Sequence, residues 1–189
     1  MNGFESDVVG APPPMVRDET PHDRPAVADL LGTAFRRTDV SDLVDRLRSA
    51  DVPGARGLLA VRSERRPGAD MSAVGAGEVV GYLRLTPART GTDEVLVLAP
   101  LAVAPGARHH GVGTYLVQFA VEMVADEGYA AVVTPYDETF LDQFGFLPAR
   151  ESGVTAGDGG RLRVAPLRGG QLRGDLAVPE PLAPLLARS

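Results

Sequence analysis

Hydrophobic residues recur along this chain with two different periods, and the switches between them mark out its elements. Residues 1–14 have no periodicity and end in Pro12-Pro13-Pro14, so they read as a mobile leader. Met15-Val16-Arg17 then reads as a short edge strand. Thr20-Pro21-His22-Asp23 carries a helix-start pattern: a hydroxyl N-cap, proline at the first helical position and an acid where a capping box places one. Val27, Leu30, Leu31 and Phe35 follow at helical spacing and predict a helix over 21–35. Leu43, Val44 and Leu47 predict a second, opening at Ser41.

The pattern next changes to continuous apolar runs, at 57–64, 78–87 and 94–103, which predict three strands. The Gly/Pro/Ala-rich stretch 65–77 separates the first two as a long loop, and Pro87 is expected to stop the second. Pro100 lies inside the third and cannot donate to a ladder, so that strand is expected to bulge or part from its neighbour near 99–101. Helical spacing returns with Val112, Leu116, Phe119, Ala120, Met123 and Val124, and Gly128 ends that helix. A short buried strand (129–135), a one- or two-turn helix closed by Gly145, and strands at 144–149 and 160–167 complete the pattern. The order β-α-α-β-β-β-α-β-α-β-β predicts an α/β fold of mixed type. It forms one domain over 15–178, with a mostly antiparallel sheet and a proline-rich tail, 179–189, extended over it.

Composition narrows the chemistry. The 189 residues are 44% hydrophobic and 23% charged, as in an ordinary soluble domain, and no run approaches a transmembrane length. The N-terminus has no basic and apolar signal segment, so the chain reads as cytoplasmic. Every basic residue is arginine: without lysine there is no Walker-type phosphate loop and no Schiff base. Zero cysteines exclude thiolate nucleophiles and disulfides, and three histidines are poor material for a metal centre, so no metal is expected. The net charge of −6 argues against nucleic acid and suits a cationic substrate better.

The stretch Arg108-His109-His110-Gly111-Val112-Gly113-Thr114 sits between the third apolar run and a helix. A helix mouth presents unpaired N–H groups and the positive end of its dipole. Glycines at 111 and 113 remove Cβ atoms where a phosphate oxygen would approach, so the stretch suits a pyrophosphate. On this pattern alone a plain turn with two permissive glycines fits equally well. The spacing of Gly106, Gly111 and Gly113 is not that of a dinucleotide fingerprint.

Taken with their flanks, these residues resemble a known family. Pro100-Leu101-Ala102-Val103, the run Arg108-His109-His110-Gly111-Val112-Gly113 and Phe144-Gly145-Phe146 match three spaced parts of one signature: P-L-A-V, then Q/R-x-x-G-x-G/A, then F-G-F. It is that of a group of predicted N-acetyltransferases in the GCN5-related N-acetyltransferase (GNAT) superfamily. Weaker likeness extends over most of 15–184. The resemblance implies acetyl-CoA as cosubstrate, lying where two central parallel strands splay apart, with helices on both faces of the sheet. The pantetheine arm would bond to the first splayed strand around Leu101, Ala102 and Val103. The pyrophosphate would sit on the loop Arg108, His109, His110, Gly111, Val112, Gly113 and Thr114, with the two histidines either touching phosphate or facing solvent.

The same resemblance implies direct attack by an amine on the thioester in a ternary complex, with no covalent enzyme intermediate. Many members carry a tyrosine general acid at the first position of Tyr-x-x-Phe-Gly-Phe, where this chain has Leu141. Tyr136 is then the candidate acid, or simply an amphipathic residue at a strand end. Glu94 is the candidate base, or simply a solvated turn acid beside Asp93. Asp137 and Glu138 are expected to cap the following helix. Tyr82 lines an acceptor pocket or the core. The acceptor is read as a small-molecule or peptide amine, and the protein as a monomer or homodimer that binds neither nucleic acid nor membrane. Two further readings stay open: an acyl-CoA-binding module with little catalysis, and transfer of a longer acyl chain.

Overall fold

Residue alternation along the sheet decides which helices cover which face. A computed structural model describes residues 14–62, 77–136, 138–155, 162–169 and 171–186. The leader and most of the loop read over 65–77 lie outside the described residues. The first elements are β1 (Met15–Asp18), α1 (Arg24–Phe35), α2 (Asp39–Ser49), β2 (Arg56–Arg62), β3 (Glu78–Thr90) and β4 (Asp93–Val103). There follow α3 (Val112–Asp126), β5 (Ala131–Thr134), β6 (Leu147–Pro148), α4 (Ala149–Ser152), β7 (Val154–Thr155), β8 (Arg163–Pro166), β9 (Gly174–Ala177) and α5 (Ala183–Leu186). The sheet runs β1-β2-β3-β4-β5-β8-β6, and β9 pairs with both β3 and β7. Its neighbours are antiparallel except β4–β5 and β7–β9, which are parallel.

On β4, Leu96 and Leu98 pack in the same cluster as Leu116, Val117 and Ala120 of α3. Val95, Val97 and Ala99 point to the opposite face, against Leu43 and Leu47 of α2 and Leu182 of the tail. Leu59, Val61 and Tyr82 turn to that second face too, under Val27, Leu30 and Leu31 of α1. Burying an aliphatic side chain of this size contributes roughly 1.5–3 kcal/mol, so these clusters hold the helices on the two faces.

The helix over 21–35 begins with a 3-10 turn, Pro21–Asp23, and becomes α-helical at Arg24. Asp23 accepts from the Thr20 backbone N–H at 2.8 Å and takes both guanidinium nitrogens of Arg17 at 2.7 and 2.8 Å. Arg17 holds the Asp23 carboxyl well below the usual carboxylate range. The second helix starts at Asp39, two residues before the expected Ser41.

Tyr82 resolves as core, with no exposed surface. Its hydroxyl donates to Glu19 Oε2 at 3.2 Å, and burial pushes its pKa up to about 12. Glu19 also pairs with Arg48, and Arg84 lies 4.0 Å from it while donating to Leu47 O at 3.3 Å. Gly57 makes this buried ion group fit: a Cβ there would lie 2.3 Å from Glu19 Oε2.

Two sequence expectations need correction. Pro87 does not stop its strand, because β3 continues to Thr90 with Pro87 opposite Leu96. Pairing with β2 ends at Leu85 and pairing with β9 begins at Arg89. The missing N–H of Pro87 therefore falls on a stretch of strand edge with no partner, where proline costs no ladder bond. The tail is not extended either. Glu180–Leu182 forms a 3-10 turn leading into α5, and Leu182 is 1% exposed against the α2 cluster.

Candidate functional site

The site begins where β4 and β5 stop pairing. Their parallel register covers only Val95, Leu96 and Val97 opposite Ala131, Val132 and Val133. At the next step the ladder is replaced by a side chain: Thr134, fully buried, donates its hydroxyl to Leu98 O at 3.0 Å. The same oxygen accepts from the Tyr136 N–H at 3.4 Å. Thr134 thus closes the angle of the fork and satisfies two backbone groups that the parting strands would leave bare.

Beyond this point β4 carries the expected bulge. Leu83 pairs with Leu101 and Leu85 with Leu98, so Ala99 and Pro100 together oppose Arg84. The extra residue inverts the alternation: Leu96 and Leu98 face α3, and after the bulge so do Leu101 and Val103. Ala104 N donates to Val80 O at 2.9 Å, so Ala102 and Ala104 direct their polar groups to β3, while those of Leu101 and Val103 point into the fork. Val103 O there accepts from Arg108 Nε at 3.3 Å.

The fork opens into a cleft of 620 Å³. Leu101 and Val103 form its floor, Phe140 and Leu141 one wall, and Ala34 and Phe35 at the end of α1 the other. Its head is the loop between β4 and α3. A 3-10 turn, Pro105–Ala107, leads into that loop, and Gly111, at φ 76°, is the N-cap of α3. The first intrahelical bond in α3 runs from Tyr115 N to Gly111 O at 2.9 Å. The N–H groups of Val112, Gly113 and Thr114 precede it and have no partner within the helix. A Cβ on Gly111 would meet nothing within 4 Å, and one on Gly113 would touch only Val103 Cγ2, at 3.5 Å. Gly113 has an ordinary helical backbone, where glycine costs about 1 kcal/mol against alanine. Neither packing nor strain requires it, so the atoms it lacks keep open space at the helix mouth.

The predicted residues divide between this cleft and elsewhere. Leu101, Ala102, Val103, Arg108, His109, Gly111, Val112, Gly113, Thr114, Tyr136 and Leu141 all line it. Arg108 is tied to its surroundings, with a further bond to Ala34 O at 2.9 Å. His109 takes φ 63°, while His110 folds back so that its Nδ1 lies 2.7 Å from Arg108 O. Tyr136 sits in the gap itself and packs against the clusters of both faces. Burial pushes its hydroxyl up to about 12, against the opposing pull of the Leu101 backbone and the Arg37 charge.

Glu94 is not brought to this group. It stands seven residues before Leu101, roughly 23 Å away along an extended strand. There it pairs with Arg89 at 3.5 Å with 70% of its side chain exposed. The carboxylate in the cleft is Glu138, which holds the N-cap position of the 3-10 helix Thr139–Phe144 but makes no side-chain cap. Its cap-like place in the sequence concealed it. Asp137 lies outside the described residues. Among the described residues no group of three or more His, Asp or Glu side chains is arranged to hold a metal, and no helix is long and apolar enough to cross a membrane.

Comparison with known proteins bears on this geometry. The chain matches the model of the acetyltransferase (GNAT) family over residues 34–146. It is 31% identical over 134 residues to the uncharacterized N-acetyltransferase YhbS of Escherichia coli K12, spanning 70% of this chain and 72% of that one. The crystal structure of the GNAT family N-acetyltransferase YhbS from Escherichia coli in complex with CoA superposes with a TM-score of 0.76 at 28% identity, over 90% of this chain and 92% of that one. A GNAT family acetyltransferase from Brucella melitensis in complex with acetyl-CoA shares the fold, with a TM-score of 0.69 at 20% identity over 89% and 97% of the two chains. The match over residues 34–146 takes in the fork, the glycine loop and the wall formed by Phe140 and Leu141, and the chain belongs to the GNAT acetyltransferase family.

Proposed function

We propose that this protein transfers the acetyl group of acetyl-CoA to an amine, by direct attack within the cleft of the fork. The observation that carries the reading is the mouth of α3. Three N–H groups without helical partners lie beside the cleft, and a Cβ at Gly111 would enter space that no protein atom fills. That arrangement fits a pyrophosphate. The free polar groups of Leu101 and Val103 fit a pantetheine arm lying along β4 as an added strand would.

Acetyl-CoA supplies a thioester whose carbonyl carbon the amine attacks, so that a C–N bond forms and the C–S bond breaks. Tyr136 gives its hydroxyl proton to the departing thiolate. With a pKa near 12 it remains protonated throughout the neutral range, as a general acid must. Glu138, the one carboxylate lining the cleft among the described residues, takes the proton that the amine loses, directly or through water. Leu141 walls the cleft at the family's usual tyrosine position and contributes shape alone.

A second reading, a CoA-binding module with little catalysis, is favoured by that leucine, which is 1% exposed and has no proton to give. The deciding experiment combines thermal melting with turnover. On the first reading, saturating CoA raises the melting temperature, by the linkage RT ln(1 + [L]/Kd), and acetyl-CoA with a panel of amines yields acetylated product. A melting shift without product from any amine selects the binding module. An unmoved melting curve removes both.

A further inference from the structure

The fork has a second side. Tyr136 packs not only against the α3 cluster but also against the cluster containing Leu43 of α2, with Leu185 of the tail packed beside it. Leu43 and Leu185 also line a recess of 120 Å³ between α2 and the tail. Arg37 stands at that recess, and its charge acts on the Tyr136 hydroxyl. The recess therefore lies on the α2 side of the residue that fills the fork, whereas the glycine loop lies on the α3 side.

We propose that this recess holds the acceptor, and that the acceptor is an amine carrying a carboxylate, bound by Arg37 and Arg46. The inference rests on the acetyl-transfer reading and names its substrate class. The charges decide it. Arg37 and Arg46 line the recess with Asp39 as the counter-charge, and Arg37 Nε already donates to Asp39 Oδ1 at 2.6 Å. Arg46 makes no side-chain hydrogen bond or ion pair among the described residues. The wall between them is apolar, from Leu43, Pro181 and Leu185, and suits a short methylene stem. A carboxylate at the far end of that stem meets a guanidinium, its best planar partner. A second ammonium would meet like charge, which discriminates against diamines. The chain as a whole carries −6, so the recess has the opposite sign to the bulk surface. Selection at this mouth is local and not set by net charge.

The test uses purified protein with acetyl-CoA and three acceptor series of equal chain length: ω-amino carboxylates, diamines and uncharged alkylamines. Released CoA is measured alongside the CoA-induced melting shift. The expected result is a kcat/KM for amino carboxylates about tenfold or more above both other series, in keeping with a charge-assisted contact. Arg46→Glu should raise KM for amino carboxylates about tenfold with kcat little changed, while Arg46→Lys keeps most of the affinity. The melting shift should be equal in all three proteins. A wild type that prefers diamines or alkylamines overturns the inference, as does an Arg46→Glu protein with an unchanged order of preference. In both cases acetyl transfer itself stands. Absence of product from every series, with a normal melting shift, overturns the acetyl-transfer reading and this inference together.

Discussion

The two ends of β4 belong to one strand and do opposite work. At the Val95–Val97 end every residue is paired on both sides, with β3 and with β5, and the side chains are buried. At the Leu101–Val103 end β5 is gone, Leu101 and Val103 are only partly buried, and their polar groups face a cleft. Both ends are apolar, so hydrophobicity does not distinguish them. The difference comes from the bulge at Ala99–Pro100 and from Thr134, which takes over where the ladder stops. A strand end becomes a binding surface when its backbone is left unpaired beside a rigid, fully paired neighbour. Glu94 and Tyr136 fall on the two sides of this divide, and only Tyr136 meets the cleft.

The strongest test of the comparison strikes the open end. Gly113→Glu suits the first turn of α3, since an acid there complements the helix dipole and the backbone is helical. The protein should fold with an undiminished melting temperature. The melting shift given by CoA should disappear, because a carboxylate would occupy the anion position. A shift equal to that of wild type would place the phosphate elsewhere.

Next in size is Tyr136→Phe. Turnover should fall about tenfold or more, at the modest end of general-acid effects, while CoA affinity stays nearly constant. Because burial raises the Tyr136 pKa to about 12, loss of the acid form lies at the alkaline extreme, and the wild-type rate should show no tyrosine limb below about pH 11. The same shift links to folding. The stability that this hydroxyl contributes is fully present below the unfolded tyrosine pKa, near 10, and is lost as the pH rises towards 12. A fall in rate already near pH 9 that is absent from the phenylalanine variant would contradict the buried, neutral hydroxyl.

Smaller again is Thr134→Val, which keeps the shape at the apex of the fork and deletes the hydroxyl. Leu98 O and the Tyr136 N–H each lose a partner, so unfolding free energy should drop by about 1–3 kcal/mol in a denaturant titration. A drop within 0.5 kcal/mol, the usual range of an inert surface change, would mean that water satisfies the apex equally well.

The smallest effect is expected at the paired end. Glu94→Gln removes half of an exposed ion pair and should leave both stability and turnover close to wild type, within about 0.5 kcal/mol. A large loss of kcat would return Glu94 to the reaction and break the division between the two ends.

What the sequence disclosed follows the same division between local and distant causes. The bulge was legible because a single residue type, proline, cannot donate a ladder bond. The glycine loop was legible because helix mouths and missing Cβ atoms are properties of a few adjacent residues. Pro87 misled because its tolerance depends on β2 ending opposite Leu85, a fact located some thirty residues earlier in the chain. Strand β9 gave no signal: Gly174–Ala177 contains a single buried apolar residue, Leu176, and exists through pairing with Arg89 and Thr90 of β3. The tail misled because Pro181 and Pro184 suggested extension, although proline is equally at home in the first turn of a helix. Glu138 was hidden by its own neighbourhood, since a carboxylate before a short helix reads as a cap until the fold shows what it faces.

The bulge in β4 has a meaning for how such a site can change over generations. Because it shifts the alternation by one, the orientation of Leu101, Ala102 and Val103 is encoded by the count of residues and not by their identity. Point mutations at these positions exchange one lining group for another and leave the cleft where it is. Losing a single codon at Ala99 or Pro100 would rotate the whole segment, turning the Leu101 and Val103 side chains away from α3 and their backbone groups towards β3. The site is therefore tolerant of spelling and intolerant of length. Lineages can vary its chemistry by substitution, while an insertion or deletion at this one place would erase it in a single event.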